Sequence, residues 1–510
     1  MCGIVGVLSR PSSRPVPERD AVLRLLDDAL DASDRIDVAT HTLRAVDAML
    51  RGVPGVSALA DHPETVAQIT SRLDRLDRVA DEFDASIEAD APEPDVLEQL
   101  SARSIAFRDV LWAIRHDRLR TAREVGGLAG RDAGVGSLAG YLAVQQAFSA
   151  LDRLEVRGRD SAGIHLFVSR HGLDLDDPSV RAEIADRSRD LTYQSGSVRV
   201  ADGVLSFVYK KAAEIGELGD NTRALRAAVA GDDLLRRALA APSARTAVLG
   251  HTRWASVGII SEPNTHPLNS DELEQSPAVD GRQPYVIAAL NGDVDNHADL
   301  RVEHALDVPQ QVTTDAKVIP TIMSHHAASG ISSSEAFRRT VSSFEGSVAI
   351  GAMDAEHPSQ MLLALRGSGQ GLYIGLADDC FIVASEPYGV VEETDRYVRM
   401  DGEAGGEVVV LDAAAAGEVA GITRIGYDGA PLPVTDDDVT VAEVTTRDID
   451  RGEAPHFLLK EIGEAPQSLQ KTLRAKIVER DGRLTAVVGE RALPASIAER
   501  LPDGPNKSGR

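Results

Sequence analysis

Apolar residues recur every three or four positions through the early part of the chain, from about Pro17 to Arg123. That spacing places them on one face of a helix, with charged residues on the opposite face. A long helix is predicted after Asp61 and Pro63, and Ala91-Pro92-Glu93-Pro94 is expected to end it. Its apolar positions keep the spacing of a helix-pair seam: Val66, Ile69, Leu73, Leu76, Ala80, Phe83 and Ile87.

The pattern changes after a helix that ends near Arg157. Short apolar, β-branched runs follow, most of them bounded by Gly, Asp or Asn, as strand ends are. Helices are predicted between them at 316–328 and 334–341. The predicted strands are 2–8, 204–209, 246–249, 285–290, 347–353, 361–365, 372–376, 381–385 and 407–411. This order predicts two antiparallel sheets packed together with helices outside, an α+β sandwich.

Three regions are therefore expected. The sandwich takes 1–9 and 141–425, and an all-helical insertion takes 10–140. The remainder, 426–510, is expected to be a linker with helical patterns at 457–462 and 469–477, and to be too short to form a compact domain. The insertion carries no chemical motif, and a role as a docking arm or a regulatory element is left open.

Composition narrows the class of protein. The chain has 510 residues, 43% of them hydrophobic, and two cysteines, Cys2 and Cys380, so no disulfide framework is expected and a cytoplasmic location is favoured. No signal peptide or membrane-spanning run is found. With 54 basic and 80 acidic residues the net charge is −26, which disfavours nucleic acid and anionic membranes as partners. An anionic substrate must be bound locally.

Cys2 is the first chemical candidate. If Met1 is removed, its thiol and its α-amine belong to one residue, and the amine, with a pKa near ~8, can accept the thiol proton during attack. No separate histidine or aspartate is then required. The alternative is a small buried residue that begins an apolar strand.

Four distant segments place polar groups at strand ends, around Arg157, Arg253, Asn291 and Asp315. Amide hydrolysis by Cys2 requires donors for an oxyanion, and the Asn291 side chain and the Gly292 backbone N–H supply them. An amino-acid substrate also requires a guanidinium and a carboxylate, which Arg253 and Asp315 supply.

Each segment also has a purely structural interpretation. Asn-Gly after an apolar run is typical of a hairpin turn. Arg253 could form a surface ion pair, Trp254 could be a core aromatic, and Asp315 could cap the helix that follows. Their coincidence with Cys2 favours the chemical interpretation.

Together these segments resemble the class II glutamine amidotransferases, which are N-terminal-nucleophile hydrolases, in the glutamine:fructose-6-phosphate aminotransferase (isomerizing) branch. The similarity covers about 1–8 and 144–477 and excludes the helical insertion. RGRDSAG and GHTRWA are its most specific motifs. The matching segments, in order, are CGIVGVL, LDRLEVRGRDSAGI, GHTRWAS, SEPNTHP, LNGDVDNHADLR, TTDAKVI, FEGSVAI and HFLLKEIGEAPQSLQKTLRAKI.

The resemblance implies a four-layer αββα sandwich that hydrolyses glutamine to glutamate and ammonia, without a cofactor or metal. It implies that Cys2 is the nucleophile and that Asn291 and Gly292 form the oxyanion hole. Arg253 and Asp315 would bind the glutamine carboxylate and ammonium. Arg157 would orient the Cys2 end of the site, and Trp254 would lie on the loop that closes over glutamine.

In that branch the ammonia aminates fructose 6-phosphate to glucosamine 6-phosphate in a sugar-isomerase domain, which is expected to be missing from this chain. Whether the chain is a fragment or pairs with a separate synthase subunit is open, as is a homodimer. Two alternatives remain: a glutaminase like that of amidophosphoribosyltransferase, and a non-catalytic regulatory subunit. The chain departs from the family at Leu290, where histidine is common, and at Val257 and Arg159. These departures concern loop closure and domain coupling, and no residue assigned to catalysis is lost.

Overall fold

The computed structural model describes residues 2–90, 94–212, 217–273, 283–403, 405–452, 454–473, 477–480, 482–486, 495–498 and 500. The chain divides into two compact units. The first comprises Met1–Arg19, Ala48–Val66 and Ala113–Asp450, and the second comprises Asp20–Asp47, Ala67–Trp112 and Arg451–Arg510.

Helices dominate the chain before residue 155 and recur between strands afterwards. The α-helices are α1 Arg19–Asp31, α2 Ile36–Met49, α3 Gly52–Leu59, α4 Pro63–Asp90, α5 Pro94–Trp112, α6 Arg120–Ala129, α7 Val135–Leu154, α8 Pro178–Arg187, α9 Asp220–Ala230, α10 Asp233–Leu239, α11 His297–Glu303, α12 Val318–Ala328, α13 Ser333–Ser342, α14 Phe457–Leu473 and α15 Ala495–Ala498. A π-helix, Ala113–Leu119, lies between α5 and α6.

The strands are β1 Gly3–Ser9, β2 Ser161–Ser169, β3 Val198–Ala201, β4 Val204–Ala212, β5 Arg245–Arg253, β6 Leu268–Asn269, β7 Val286–Gly292, β8 Val348–Asp354, β9 Gln360–Arg366, β10 Tyr373–Ala377, β11 Cys380–Ala384, β12 Arg396–Arg399, β13 Glu407–Asp412, β14 Ile422–Gly426, β15 Pro431–Leu432, β16 Val439–Val441, β17 Ile477–Arg480 and β18 Arg483–Ala486.

Two sheets form the first unit within the described residues. One has nine strands in the order β16-β12-β10-β11-β1-β5-β2-β4-β3, and the other has seven in the order β15-β14-β13-β9-β8-β7-β6. Neighbouring strands are antiparallel, with Gly3 opposite Thr252 on β5 and Val5 opposite Ala384 on β11. The strand that follows Cys2 is therefore central in its sheet.

Three apolar clusters define four layers in this unit. The first joins α7, α9 and α10 to the outer face of the nine-stranded sheet, the second fills the space between the sheets, and the third joins α12 and α13 to the seven-stranded sheet. Strand β1 shows how one sheet contributes to two clusters. Successive side chains of a strand point to opposite faces of the sheet. Val5 and Val7 contact the helices, whereas Ile4 and Leu8 enter the core between the sheets. The expected α+β, αββα fold is confirmed.

The helical region is organised differently from the expectation of one insertion at 10–140. Residues 48–66 and 113–140 belong to the sandwich unit, and 20–47 and 67–112 belong to the second unit. In the second unit α4 buries its predicted seam at Ile69, Leu73, Leu76, Ala80 and Ile87. Asp27 on α1 accepts two hydrogen bonds from Arg72 on α4, at 2.8 and 2.9 Å.

The C-terminal expectations also need correction. The sheets continue past residue 425, since β15 and β16 are edge strands of the two sheets. Helix α14 ends at Leu473, and Ile477 begins a strand paired with β18, so the predicted helix at 469–477 is wrong at its end. The predicted break at 91–93 lies outside the described residues. No helix within the described parts of the chain is both long and apolar enough to cross a membrane.

Candidate active site

Cys2 lies immediately before β1, half-buried against the end of β5. Its Sγ accepts a hydrogen bond from the Trp254 backbone N–H at 3.2 Å and can donate to the Trp254 carbonyl oxygen at 3.4 Å. Trp254 follows β5 directly, so the Gly3–Thr252 register brings the two residues together. The sheet itself therefore positions the sulfur.

Burial raises the pKa of the Cys2 thiol. The hydrogen bond from Trp254 N–H and the charge of Arg253 lower the pKa, but they do not fully offset the loss of solvent. The thiol is therefore protonated at neutral pH. Attack by this sulfur needs a base that removes the proton as the new bond forms.

Asn291 lies near the end of β7 with its side chain buried. Its Nδ2 donates to Ser385 Oγ at 2.8 Å, and its Oδ1 accepts from His251 Nε2 at 3.1 Å. Ser385 Oγ also accepts from the Ile4 backbone N–H at 2.8 Å. These bonds fix the amide plane and tie it to the strand that follows Cys2, while Nδ2 retains a second hydrogen.

His251 is a site residue to which the sequence argument assigned no role. Burial lowers the pKa of its imidazole to about 3, so the ring is neutral at physiological pH. Its Nε2 lies 2.8 Å from the Leu290 carbonyl oxygen, which can only accept, so Nε2 carries the proton. His266 stacks on this ring with centroids 4.6 Å apart. The signal in the sequence was a polar residue inside an apolar strand.

Gly292 must be glycine for two reasons. Its φ is +92°, a conformation that other residues rarely adopt. A Cβ at this position would lie 1.9 Å from the Ser347 carbonyl oxygen. Strand β7 therefore ends, beside Asn291, in a backbone conformation and a close approach that a side chain would prevent.

Arg253 is buried at the end of β5. Its guanidinium donates to the carbonyl oxygens of Val257 and, at 3.3 Å, of Ile259. These two hydrogen bonds hold the loop that follows Trp254. Burial lowers the pKa of the guanidinium, and the charges of Cys2 and Asp315 raise it. Arg253 in turn lowers the pKa of the Cys2 thiol, so these two side chains are near enough to interact electrostatically.

Asp315 begins a short 3-10 helix and is 4% exposed. Its Oδ2 accepts from Val294 N–H at 2.8 Å and its Oδ1 accepts from Thr314 Oγ1 at 3.2 Å. Burial raises the pKa of this carboxyl, and the Val294 hydrogen bond opposes that effect. Thr314, and not Asp315, caps the helix, because its hydroxyl accepts from Ala316 N–H. The capping interpretation of Asp315 is wrong.

Arg157 and Trp254 lie at the edges of this group. Arg157 pairs with Glu386 and donates to the backbone carbonyl oxygen of Ser385 at 3.4 Å. Ser385 is the same residue whose side chain accepts from Asn291. The Trp254 side chain is 60% exposed and is not a core aromatic. Its loop is held by Asp160, which accepts from Ala255 N–H at 2.8 Å.

One group among the described residues has the spacing of a metal site: Asp354, Glu356 and His357 at the end of β8. Two of its three members are exposed, and exposed acidic groups are common without a metal. Asp354 accepts a hydrogen bond from Glu356 N–H at 3.0 Å, and its Oδ2 lies 3.6 Å from His357 Nδ1.

Comparison with protein families gives one match inside the sandwich. Residues 267–391 match the model described as "Glutamine amidotransferase domain". This range contains Asn291, Gly292 and Asp315, and it ends shortly after Ser385.

The chain is also similar to longer proteins. It is 28% identical over 342 residues to a glutamine–fructose-6-phosphate aminotransferase [isomerizing] of Bacillus thuringiensis subsp. konkukian, covering 66% of this chain and 44% of that protein. It is 29% identical over 315 residues to the same enzyme of Bacillus subtilis, covering 61% and 44%. The chain thus spans less than half the length of these relatives.

Among solved structures, one similar chain is the glutamine phosphoribosylpyrophosphate amidotransferase of B. subtilis complexed with ADP and GMP. The identity is 21%, the TM-score is 0.34, and the match covers 56% of this chain and 47% of that one.

Proposed function

The chain carries a glutamine amidotransferase domain of class II, the N-terminal-nucleophile class, and from this premise we propose that Cys2 hydrolyses glutamine once Met1 is removed. One observation carries the proposal. Cys2 Sγ is held by Trp254 N–H, while Ser385 connects the amide of Asn291 to the strand that follows Cys2. A nucleophile and an oxyanion donor are thus fixed on one framework.

The α-amine of Cys2 would act as the base. It accepts the Sγ proton as sulfur forms a bond to the amide carbon, and the carbonyl oxygen becomes an oxyanion. The remaining Nδ2 hydrogen of Asn291 and the Gly292 N–H stabilise that oxyanion. The proton then passes to the departing nitrogen. The carbon–nitrogen bond breaks, ammonia is released, and a thioester between Cys2 and the glutamyl group remains. Water hydrolyses the thioester to glutamate and free Cys2.

Arg253 and Asp315 would bind the two ends of glutamine that do not react. Both are buried, which strengthens charge-assisted hydrogen bonds to a carboxylate and an ammonium. Two of the Arg253 contacts are to the carbonyls of Val257 and Ile259, so the guanidinium would hold substrate and loop together. Trp254 and Arg157 flank the site, where they would cover bound glutamine and orient the Cys2 end.

We propose that the ammonia aminates fructose 6-phosphate to glucosamine 6-phosphate in a sugar-isomerase domain. Support comes from the relatives, which are named for that reaction. A cytoplasmic location accords with the two cysteines, Cys2 and Cys380, which are both free thiols.

The test is release of ammonia and glutamate from glutamine by the purified chain. Cys2→Ala should abolish release, and Cys380→Ala, which removes a buried thiol at the start of β11, should retain it. Fructose 6-phosphate and phosphoribosyl pyrophosphate are then added in separate experiments. The compound that changes the rate of ammonia release identifies the class of acceptor. Absence of release from a folded chain that lacks Met1 would contradict the proposal and favour a regulatory subunit.

A further inference from the structure

Asp293 is a carboxylate of the candidate active site to which the proposed mechanism assigns no role. It follows Gly292 directly and is half-buried. Its Oδ1 accepts a hydrogen bond from Ser256 Oγ at 2.6 Å, and Ser256 lies two residues after Trp254, in the loop 254–260. The Asp293 side chain therefore extends from the end of β7 towards that loop.

Asp315 is joined to the same turn. Val294, the residue after Asp293, donates its N–H to Asp315 Oδ2 at 2.8 Å. The loop 254–260 contacts the segment before Asp315 as well, since Ile259 N–H donates to Thr313 Oγ1 at 3.3 Å. The two carboxylates thus belong to one ring of contacts formed by the turn, the loop and the segment that carries Asp315.

The groups that hold these two carboxylates do not neutralise them. The hydrogen bonds that Asp293 and Asp315 accept come from two hydroxyls and one backbone N–H, which are uncharged donors. Burial raises the pKa of the Asp315 carboxyl, and the negative charge of Asp293 adds to that effect. Burial also raises the pKa of the Cys2 thiol, and the charge of Asp293 again adds to it. Asp293 is therefore near enough to act electrostatically on both groups.

Two carboxylates that repel each other gain from a cation placed between them. The attraction is strengthened by the burial of Asp315, which is 4% exposed. An ammonium group carries three hydrogens and no acceptor, so it can donate to two carboxylates at once. The charge distribution of this part of the site thus suits a ligand with an ammonium group.

We propose that Asp293 and Asp315 together bind the α-ammonium of glutamine, and that Asp293 thereby restricts the substrate to amides with a free α-ammonium group. This inference rests on the proposed function and deepens it. The Ser256 hydroxyl would position the Asp293 carboxylate. A simple amide, or glutamine acylated on its α-nitrogen, would leave both carboxylates without a counter-charge.

The test compares two electrophiles that react with Cys2 in the full chain. One is 6-diazo-5-oxo-L-norleucine, which carries an α-ammonium, and the other is iodoacetamide, which carries no charge. Mass spectrometry of the N-terminal peptide measures the rate at Cys2. Asp293→Asn should slow alkylation by the first electrophile at least ~5-fold, as expected for a lost charge-assisted contact, and should not slow alkylation by iodoacetamide. An equal loss with both electrophiles, or no loss with either, would overturn the inference.

The choice of variants separates the charge of Asp293 from its hydrogen bond. Asp293→Asn removes the charge and keeps an oxygen that can accept from Ser256, whereas Ser256→Ala removes the hydrogen bond and keeps the charge. The effect of Ser256→Ala should be the smaller one. Asp295→Asn is the matched control, because Asp295 is an exposed aspartate two residues further along, and it should react like the parent. Thermal unfolding checks that each variant is folded. A larger loss in Ser256→Ala than in Asp293→Asn would overturn the role of the charge.

Failure of this inference can be told apart from failure of the proposed function. If iodoacetamide modifies Cys2 of the parent chain and 6-diazo-5-oxo-L-norleucine does not, the proposed function fails and this inference fails with it. If 6-diazo-5-oxo-L-norleucine modifies the parent and Asp293→Asn at the same rate, only the role of Asp293 fails.

Discussion

Asn291 donates a hydrogen bond from Nδ2 to Ser385 Oγ over 2.8 Å, and so joins the seven-stranded sheet to the nine-stranded sheet beside Cys2. The same oxygen accepts from Ile4 N–H. Ser385 therefore links the strand that follows Cys2 to the Asn291 side chain, and in the proposed mechanism it would position Asn291. Among the described residues the hydrogen bonds of this hydroxyl are to Asn291 and Ile4 and those of Cys2 Sγ are to Trp254, so an effect of Ser385 would pass through Asn291.

Ser385→Ala should lower kcat of glutamine hydrolysis about 10-fold while KM changes less than about 2-fold. Without Ser385 the Asn291 amide is no longer held in place, and this weakens its contact with the transition state more than its contact with bound glutamine. Ser385→Thr, which keeps the hydroxyl, should recover most of the rate. Steady-state kinetics of the three proteins measure this. An equal loss in Ser385→Thr would indicate a packing role instead.

Arg253→Ala and Asp315→Asn should each lower kcat/KM for glutamine at least ~10²-fold, since each leaves a charged end of the substrate without its buried partner. Asp299→Asn, on exposed α11, is the control and should have no effect. Rates at subsaturating glutamine measure kcat/KM directly. An unchanged value in Arg253→Ala would remove this residue from the substrate site.

Gly292→Ala should destabilise the protein and abolish alkylation of Cys2 by a glutamine analogue. Two causes contribute, the positive φ of Gly292 and the clash of a Cβ with Ser347. Gly330→Ala separates them, because Gly330 has a φ of +85° but open space around a Cβ. Conformational strain alone should cost Gly330→Ala about 1 kcal/mol in the free energy of unfolding. Urea unfolding should show a larger loss for Gly292→Ala, and equal losses would show that the contact with Ser347 is unimportant.

The His251 ring should remain neutral across the pH range in which free histidines titrate. Its folded pKa is about 3, below the value of about 6.5 in the unfolded chain. The unfolded chain therefore binds the proton first, so the stability that His251 contributes is complete above about pH 6.5 and is lost as the pH falls towards 3. NMR of labelled histidine should show no His251 titration between pH 8 and pH 5. A midpoint near 6.5 would contradict the lowering of the His251 pKa by burial.

Replacing residues 10–140 by a short Gly/Ser bridge should unfold the sandwich unit. Thr121, within that range, donates to Glu392 Oε1 at 2.9 Å, and Arg118 donates to the Glu392 carbonyl oxygen at 2.9 Å. Glu392 is buried and would keep Arg153 but lose these two partners, and each lost hydrogen bond to a buried group typically costs about 1–3 kcal/mol. Circular dichroism and thermal unfolding measure the outcome. A folded, alkylation-competent remainder would show that the whole insertion is dispensable.

The central strands were predictable because their apolar runs are short and end in Gly, Asp or Asn. Strand β7, for example, was expected at 285–290 and lies at Val286–Gly292. Strand β2, Ser161–Ser169, was missed because it begins with small residues and contains a histidine. Its burial depends on pairing with β4 and β5, which no local pattern reveals.

The candidate site was predictable as a set of residues, but the contacts that arrange it were not. Cys2, Arg253 and Asp315 were marked by residue type and by position at strand ends. Ser385 and His251 act through bonds to residues 94 and 40 positions away, which a sequence does not display. The division of the helical region between two units was not predictable for the same reason. Arg118 and Thr121 belong to the sandwich unit through contacts with Glu392, which is more than 270 positions away.

The most direct test is mass spectrometry of the full chain after treatment with 6-diazo-5-oxo-L-norleucine, a glutamine-derived electrophile. The account predicts that Met1 is absent, that one adduct forms per chain, and that the modified peptide begins with Cys2. Glutamine present in excess should slow the reaction. An adduct at Cys380, or hydrolysis of glutamine at the parent rate by Cys2→Ala, would contradict it.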